Sequence, residues 1–455
     1  MYSRTIFFLL SFFCFCSYSL LGQGEGPWSL QQCLNYALEN NLRLQQTELS
    51  VQSSELRLQQ ARNNRYPNLN ASASANNNFG FNINPLTNSF STDGTQALSF
   101  GLGGGMTIYN GLRLSNLIKQ SEIDLRASQS ELDDSRNMLM LNIATAYLQI
   151  LSDMETLEAA KVQLESTVQQ RDRTAKLVRA GTLPQADLLQ LESQIATDER
   201  ALINTENTLE ISYLNLARTL NLSAGEAQDF EIQKPEIPAP SELNMPSMQE
   251  IINTAFQTQP SVEAADLRVK SAQIDRAVSA AGKLPSVNLN GNLGTGYTTF
   301  FKVPDPANPS EQIIVPFSDQ VINAFGGGVG VSLGIPIYNR GQVSNNIQQA
   351  IIGLENANLN ADIVRQNLEQ NIQQAYVDVE NAYSNYQAIV RQIEALQLTF
   401  ENTEKQFNLG LVNSVDYMLA KNNLNRAQFD MVRNKYIFFF RQKVLDFYMG
   451  KPFTF

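Results

Sequence analysis

The run Ile347–Phe400, IQQAIIGLENANLNADIVRQNLEQNIQQAYVDVENAYSNYQAIVRQIEALQLTF, decides the fold. Its apolar residues fall at Ile347, Ala350, Leu354, Ala357, Ala361, Val364, Leu368, Ile372, Ala375, Val379, Ala382, Tyr386, Ile389, Ile393, Leu396 and Phe400. The steps alternate three and four, apart from one four-four step at Val364–Leu368–Ile372. Such alternation keeps a single stripe on one face of a helix, the seam of a coiled coil, and the extra four is a stutter that locally unwinds the left-handed supercoil. The positions between are rich in Gln, Asn and Glu, a water-facing surface. One stripe alone describes any helix packed in a bundle, so the surroundings have to narrow the choice.

The second half of the chain repeats the first. Ser29-Leu-Gln with Ala37 aligns with Ser247-Met-Gln with Ala255 at an offset of 218, and Pro67-Asn-Leu-Asn aligns with Pro285-Ser-Val-Asn at the same offset. Ile108-Tyr-Asn-Gly answers Ile337-Tyr-Asn-Arg-Gly; Ala146-Tyr147 answers Ala375-Tyr376, and Gly181 with Asp187 answers Gly410 with Asp416, now at an offset of 229. The change falls in the polar stretches after each Pro motif, where a loop tolerates insertion. Two units are expected, residues 23–222 and 247–455, joined by a linker, 223–246, that carries Pro235, Pro238, Pro240 and Pro246. Each unit reads as a short helix (Ser29 to Asn64; Ser247 to Lys283, broken at Pro260), two alternating stretches, one very long helix, a turn and a second short helix (Pro184 to Asn221; Ser414 to Tyr448). Gly111 to Ala180 spans 70 residues, against 36 and 38 in the short helices of that unit. Two short helices laid end to end therefore match one continuous helix of about 105 Å. That arrangement, twice over, is the wall of a long tube.

The alternating stretches have period 2. Leu69, Ala71, Ala73 and Ala75 oppose Asn68, Asn70, Ser72 and Ser74; Leu98, Phe100, Leu102, Met106 and Ile108 share one parity. Val287, Leu289, Leu293 and Tyr297 oppose Ser286, Asn288, Asn290 and Asn292, and Phe325, Val329, Val331, Leu333, Ile335 and Ile337 lie on one face. An apolar face backed by an uncharged polar face, with Asn-, Thr-, Ser- and Pro-rich loops, is the pattern of barrel strands between lipid and water. Two soluble hairpins capping a bundle would alternate similarly. If the strands enter a membrane, four cannot close a barrel and open edges are not tolerated in lipid. Several copies must then share one pore, and the residues do not choose between two, three or four.

Composition excludes much else. The 455 residues contain no histidine, which removes Ser-His-Asp triads, histidine-ligated zinc and imidazole acid–base chemistry. With 33 basic against 44 acidic residues, a net charge of −11, nucleic acid is not an expected partner. No Gly-rich phosphate loop and no clustered metal-ligand spacing appears, so neither an enzyme nor a cofactor is expected. Residues 1–22 read as a secretory signal: Arg4, an apolar run from Thr5 to Phe15, then Ser17, Ser19 and Gly22. No small residue directly precedes Cys14 or Cys16, so a lipid-anchoring cysteine is not favoured, and Cys33 has no intrachain partner after cleavage.

Taken together, the duplication, the Tyr66-Pro and Leu284-Pro strand starts, the Ile-Tyr-Asn-(Arg)-Gly strand exits and the twin distal turns resemble the TolC family of outer-membrane exit ducts. The turns read Leu177-Val-Arg-Ala-Gly-Thr-Leu-Pro-Gln-Ala-Asp187 and Phe407-Asn-Leu-Gly-Leu-Val-Asn-Ser-Val-Asp416. The resemblance implies a mainly α chain with transmembrane β: duplicated coiled-coil helices forming a periplasmic α-barrel, plus four strands per chain in a shared, trimeric, twelve-stranded outer-membrane β-barrel. It implies a homotrimer that meets outer-membrane lipid, a periplasmic adaptor and, through it, an inner-membrane transporter, in tripartite efflux or type I secretion. Ala180, Gly181 and Thr182 with Leu409, Gly410 and Leu411 would be adaptor contacts; Asp416 would line the periplasmic aperture, with Asp187 beside it. Gly and Asp at these places also suit plain helix capping, with Ser414 as the N-cap. Three departures bear on the aperture. Leu419 stands where some members carry a second aspartate, and Phe407 and Val412 stand where some carry a tyrosine and an arginine that hold the closed state. Closure is therefore expected to be more hydrophobic. A non-channel periplasmic coiled-coil spacer remains the alternative.

Overall fold

The computed structural model describes residues 26–80, 82–83, 90–91, 94–235, 243 and 245–451. The expected signal, residues 1–22, and the linker centre, 236–242, lie outside the described residues. The first half contains α1 (Leu30–Asn40), α2 (Leu42–Asn63), β1 (Asn68–Asn78), a minor pair β2 (Asn82–Ile83) and β3 (Phe90–Ser91), β4 (Thr95–Asn110), α3 (Arg113–Arg179), α4 (Gln185–Leu220) and α5 (Ala224–Gln228). The second contains α6 (Met248–Thr258), α7 (Pro260–Ala280), β5 (Ser286–Thr298), a minor pair β6 (Lys302–Pro304) and β7 (Gln312–Ile314), α8 (Phe317–Asn323), β8 (Gly326–Gly334), α9 (Gln342–Asn408) and α10 (Ser414–Tyr448).

Helices α3 and α9 each hold 67 residues, about 100 Å of helix. The 11 and 21 residues of α6 and α7 with the 35 of α10 match α9. Above mid-height α2 packs on α3, α3 on α7 and α7 on α9; below it α4 packs on α3, α3 on α10 and α10 on α9. The helices thus form four lanes, with α2 over α4 and α7 over α10 as the composite ones. Every buried apolar residue of α9, from Ala350 through Leu368, Ile372 and Val379 to Ala382, belongs to the Ile347–Phe400 stripe.

The first short helix is not continuous from Ser29 to Asn64 as expected; it breaks at Asn41. Pro260 marks the matching break in the second unit, as expected, but the first uses a side chain instead. Asn41 Oδ1 caps α2 by accepting from the Arg43 and Leu44 amides, while its Nδ2 donates to the Thr219 carbonyl at the end of α4. Gln259, at the offset of 218, donates Nε2 to the Phe447 and Tyr448 carbonyls at the end of α10. Both amides are buried, and each ties the bottom of an upper short helix to the top of a lower one. The two largest apolar clusters surround these joints: Leu34, Tyr147, Leu151, Leu216 and Leu220 in one, Ile251, Ile372, Val379 and Leu445 in the other. A strap seals the first: the Trp28 amide donates to Glu231 O at 2.7 Å, Gln233 N returns to Trp28 O at 2.8 Å, and the Tyr147 hydroxyl donates to the Trp28 and Gln233 carbonyls.

The four main strands form one antiparallel sheet in the order β1-β4-β5-β8. The register places Ala71, Leu102, Leu293 and Gly327 in one row, and Leu289, Met106 and Val331 in another, so the four apolar stripes share a face. Asn68, Gly105, Asn290 and Gly330 occupy the other face, and none of the four strands carries a charge. Two details depart from the alternation read in the sequence. Ile108 is the extra residue of a bulge, so Tyr109 rather than Ile108 pairs with Val287. Ile335 and Ile337 lie past the end of β8. Each passage from strand to long helix uses two successive left-handed residues, Gly111-Leu112 and Arg340-Gly341. A Cβ on Gly111 would stand 2.7 Å from Leu284 Cβ, so that corner needs glycine for space as well as for φ.

Candidate functional site at the helical tips

Both long helices end alike. Ala180 is the last residue of its turn, Gly181 takes φ +75°, and the Gly181 and Thr182 amides donate back to Val178 O and Leu177 O. At the other tip Leu409 precedes Gly410 at φ +74°, and the Gly410 and Leu411 amides donate to Phe407 O and Gln406 O. These are Schellman turns, which only glycine enters without strain. Thr182 Oγ1 adds a bond to Leu177 O at 2.8 Å. The returning helices start at equivalent N-caps, Pro184 and Asn413. Asn413, not Ser414, caps α10, its side chain accepting from the Asp416 amide at 2.8 Å. Asp187 and Asp416 occupy the first turns, opposite the helix dipole's positive end.

The two tips share a backbone but differ in chemistry. The α3 tip is basic, with Lys176 and Arg179 in its last turn. The α9–α10 tip is aliphatic: Leu409 is 74% exposed, Leu411 71% and Leu419 58%. Val412 is half-buried and Asp416 exposed. Phe407 stacks on Tyr417 of α10, with ring centroids 4.8 Å apart, and the Arg173 guanidinium of α3 lies 4.4 Å from the Phe407 centroid. The hairpins are thus bridged by a cation on an aromatic face. Burial pushes the Tyr417 hydroxyl above its ordinary range, helped by Glu404 and opposed by Arg173. Sequence reading found Phe407 and missed Arg173 and Tyr417. The Asp416-Tyr417 dipeptide stood in view, but nothing local joins it to a residue on another lane.

The wall above the tips changes character along α3. Down to Leu151 its buried residues are mainly apolar; from Asp153 onward they are Asp153, Glu155, Ser166, Thr167, Gln170 and Thr174. Two buried carboxylates are well held. Asp153 accepts from Ser212 Oγ and Gln149 Nε2, and Asp198 from Thr167 Oγ1 and Gln194 Nε2. In contrast Ser166 Oγ, Gln170 Nε2 and Thr174 Oγ1 of α3, with Asn422 Oδ1 and Asn425 Nδ2 of α10, are buried without a hydrogen-bond partner among the described residues. Unpaired buried polar atoms cost about 1–3 kcal/mol each, so this part of the lower wall carries a desolvation cost that the apolar middle of α3 does not.

Comparison with known proteins agrees with this architecture. The chain is 21% identical to outer membrane protein TolC of Escherichia coli over 75% of this chain and 72% of that protein. It is 21% identical to TolC of Vibrio cholerae over 93% and 92%. Among solved structures, the outer membrane protein VceC of Vibrio cholerae superposes with a TM-score of 0.78 at 15% identity, over 93% of this chain and 97% of that one. Residues 33–222 and 251–442, one block in each half, match the outer membrane efflux protein family, and the chain belongs to it.

Proposed function

We propose that the protein is a passive trimeric conduit, without chemistry of its own, that serves as the exit duct of a tripartite efflux or type I secretion system and opens at its periplasmic tips. One observation carries this most directly: an uncharged two-faced sheet, with two edges open among the described residues, stands on a helical wall about 100 Å tall whose outer lanes also display exposed apolar stripes. Leu42, Leu49 and Leu56 recur every seven residues on α2, and Ile352, Leu359 and Ile363 follow on α9, all exposed. Lane edges of this kind pack against the next copy. Three copies give twelve strands and twelve lanes. Residues 1–22 would be removed on export and residues 223–246 would join the two units.

Opening separates the α9–α10 hairpin from the α3–α4 hairpin at the polar lower wall, breaking the Arg173–Phe407 contact. Leu419, Val412 and Phe407, with Asp416 and Asp187 close by, make the closed aperture mostly apolar. Ala180, Gly181, Thr182, Leu409, Gly410 and Leu411 are the adaptor contacts, and an inner-membrane transporter behind the adaptor supplies the energy. Family membership disfavours a spacer without a channel. The test is conductance of the purified protein in planar bilayers under a salt gradient. Discrete pores with a reversal potential of cationic sign are expected from the acidic balance; absence of any pore would overturn the reading.

A further inference from the structure

The sheet's two open edges carry enough information to fix how one copy meets the next. In lipid each unpaired strand edge must find a partner, and among the described residues β1 and β8 are the two edge strands of the sheet, each paired on one side only. Following the rows across one copy, Gly326, where β8 begins, is level with Gly294, Gly101 and Ser72. It therefore stands six residues below Asn78, the upper end of β1. A symmetric ring recovers that step by starting the next copy's strand six residues lower.

We infer that β8 pairs antiparallel with β1 of a second copy of this chain in the register that sets Gly326 against Asn78, and so Gly330 against Ser74. The inference deepens the trimer reading and rests on it. Three features converge on this register. The outward valines and leucine of β8 meet Ala75, Ala73 and Ala71, whose other neighbours are Leu98, Phe100 and Leu102. The small column of β1 is thereby clasped between two bulky ones. Phe325 meets Phe79, two aromatics that are 65% and 86% exposed in the single chain. Finally, six residues per copy is about 18 around the ring; at ~3.3 Å per residue against twelve spacings of ~4.8 Å the strands tilt by about 45°, within the usual range for barrels. A slip of one residue turns the valines to the polar face. A slip of two gives about 34° or 54° and parts the phenylalanines.

Paired cysteines read the register directly, with Cys33 left in place because it is buried. Ala73→Cys with Val331→Cys tests an outward pair. Ser74→Cys with Gly330→Cys tests an inward one, and a Cβ at Gly330 meets nothing within 4 Å. Ala71→Cys or Ala75→Cys with Val331→Cys are offset by two residues, with Cα atoms about 7–8 Å apart, beyond disulfide reach. Mild oxidation of the membrane-embedded protein is expected to give covalent trimers from at least one matched pair and monomers from the offset pairs on denaturing gels. Native mass is measured on the same samples. A native trimer that cross-links only through an offset pair, or through none, overturns the register; a native monomer overturns the trimer reading beneath it.

Discussion

Replacing Arg173 by alanine is the sharpest test of how the tips are held. The guanidinium sits 4.4 Å from the Phe407 centroid, whereas Phe407 and Tyr417 belong to one hairpin, so that in the proposed opening they stay stacked while the Arg173 contact breaks. Arg173 is exposed, so the contact falls at the weaker end for a cation on an aromatic face, about 0.5–1 kcal/mol. In the proposed trimer, three symmetric contacts released together amount to about 1.5–3 kcal/mol, which at ~1.4 kcal/mol per decade raises the open-to-closed ratio about 10- to 100-fold. The assay is single-channel open probability in planar bilayers. Lys176→Ala is the control, because it removes an exposed charge on the same tip one turn away. Arg173→Lys keeps the charge without the planar stack and should fall between. If Arg173→Ala and Lys176→Ala open equally often, the bridge does not hold the tips and the reasoning fails.

Other outcomes follow from the same geometry. Replacing Gln170 of α3 and Asn422 of α10 by leucine relieves two buried polar atoms without a hydrogen-bond partner among the described residues and should lower open probability while raising the thermal midpoint, at about 1–3 kcal/mol per relieved group; a more open channel would refute the role given to the polar lower wall. Asn41→Ala removes both a helix cap and the tie to Thr219 O, so the unfolding midpoint should drop by the equivalent of about 2–3 kcal/mol. Asn41→Asp keeps the cap acceptor and should lose less. Burial pushes the Cys33 thiol up to about 12, so the neutral form dominates below that pH. The folded protein should resist maleimide at pH 8 and react only after denaturation.

Much of this was legible because it is periodic. The α9 stripe announced its own burial, and the repeated Gly–Asp turns announced two equivalent tips, since a helix that must reverse needs glycine in the left-handed region. What escaped was set by space rather than by pattern. Asn41 lies in a polar Asn-Asn-Leu string that looks like ordinary helix surface, while its second-unit equivalent precedes a proline and declares itself. At the bulge both Ile108 and Tyr109 are apolar, so alternation could not tell which is extra. Asn413 and Ser414 are both good caps, and backbone geometry settled the choice by one residue. Arg173 and Tyr417 required knowing that α3 and α10 are neighbours, which no local window contains. The conversion of the lower α3 core to polar side chains was visible in the sequence, but its meaning depends on which face is buried.

In the proposed assembly this chain completes a pore only with its own copies. The most direct measurement is the native mass of the mature protein extracted from the outer membrane, with and without detergent. A detergent-dependent assembly of three chains is expected. A monomer that remains soluble without detergent would contradict it, because the apolar face of the sheet would then never meet lipid.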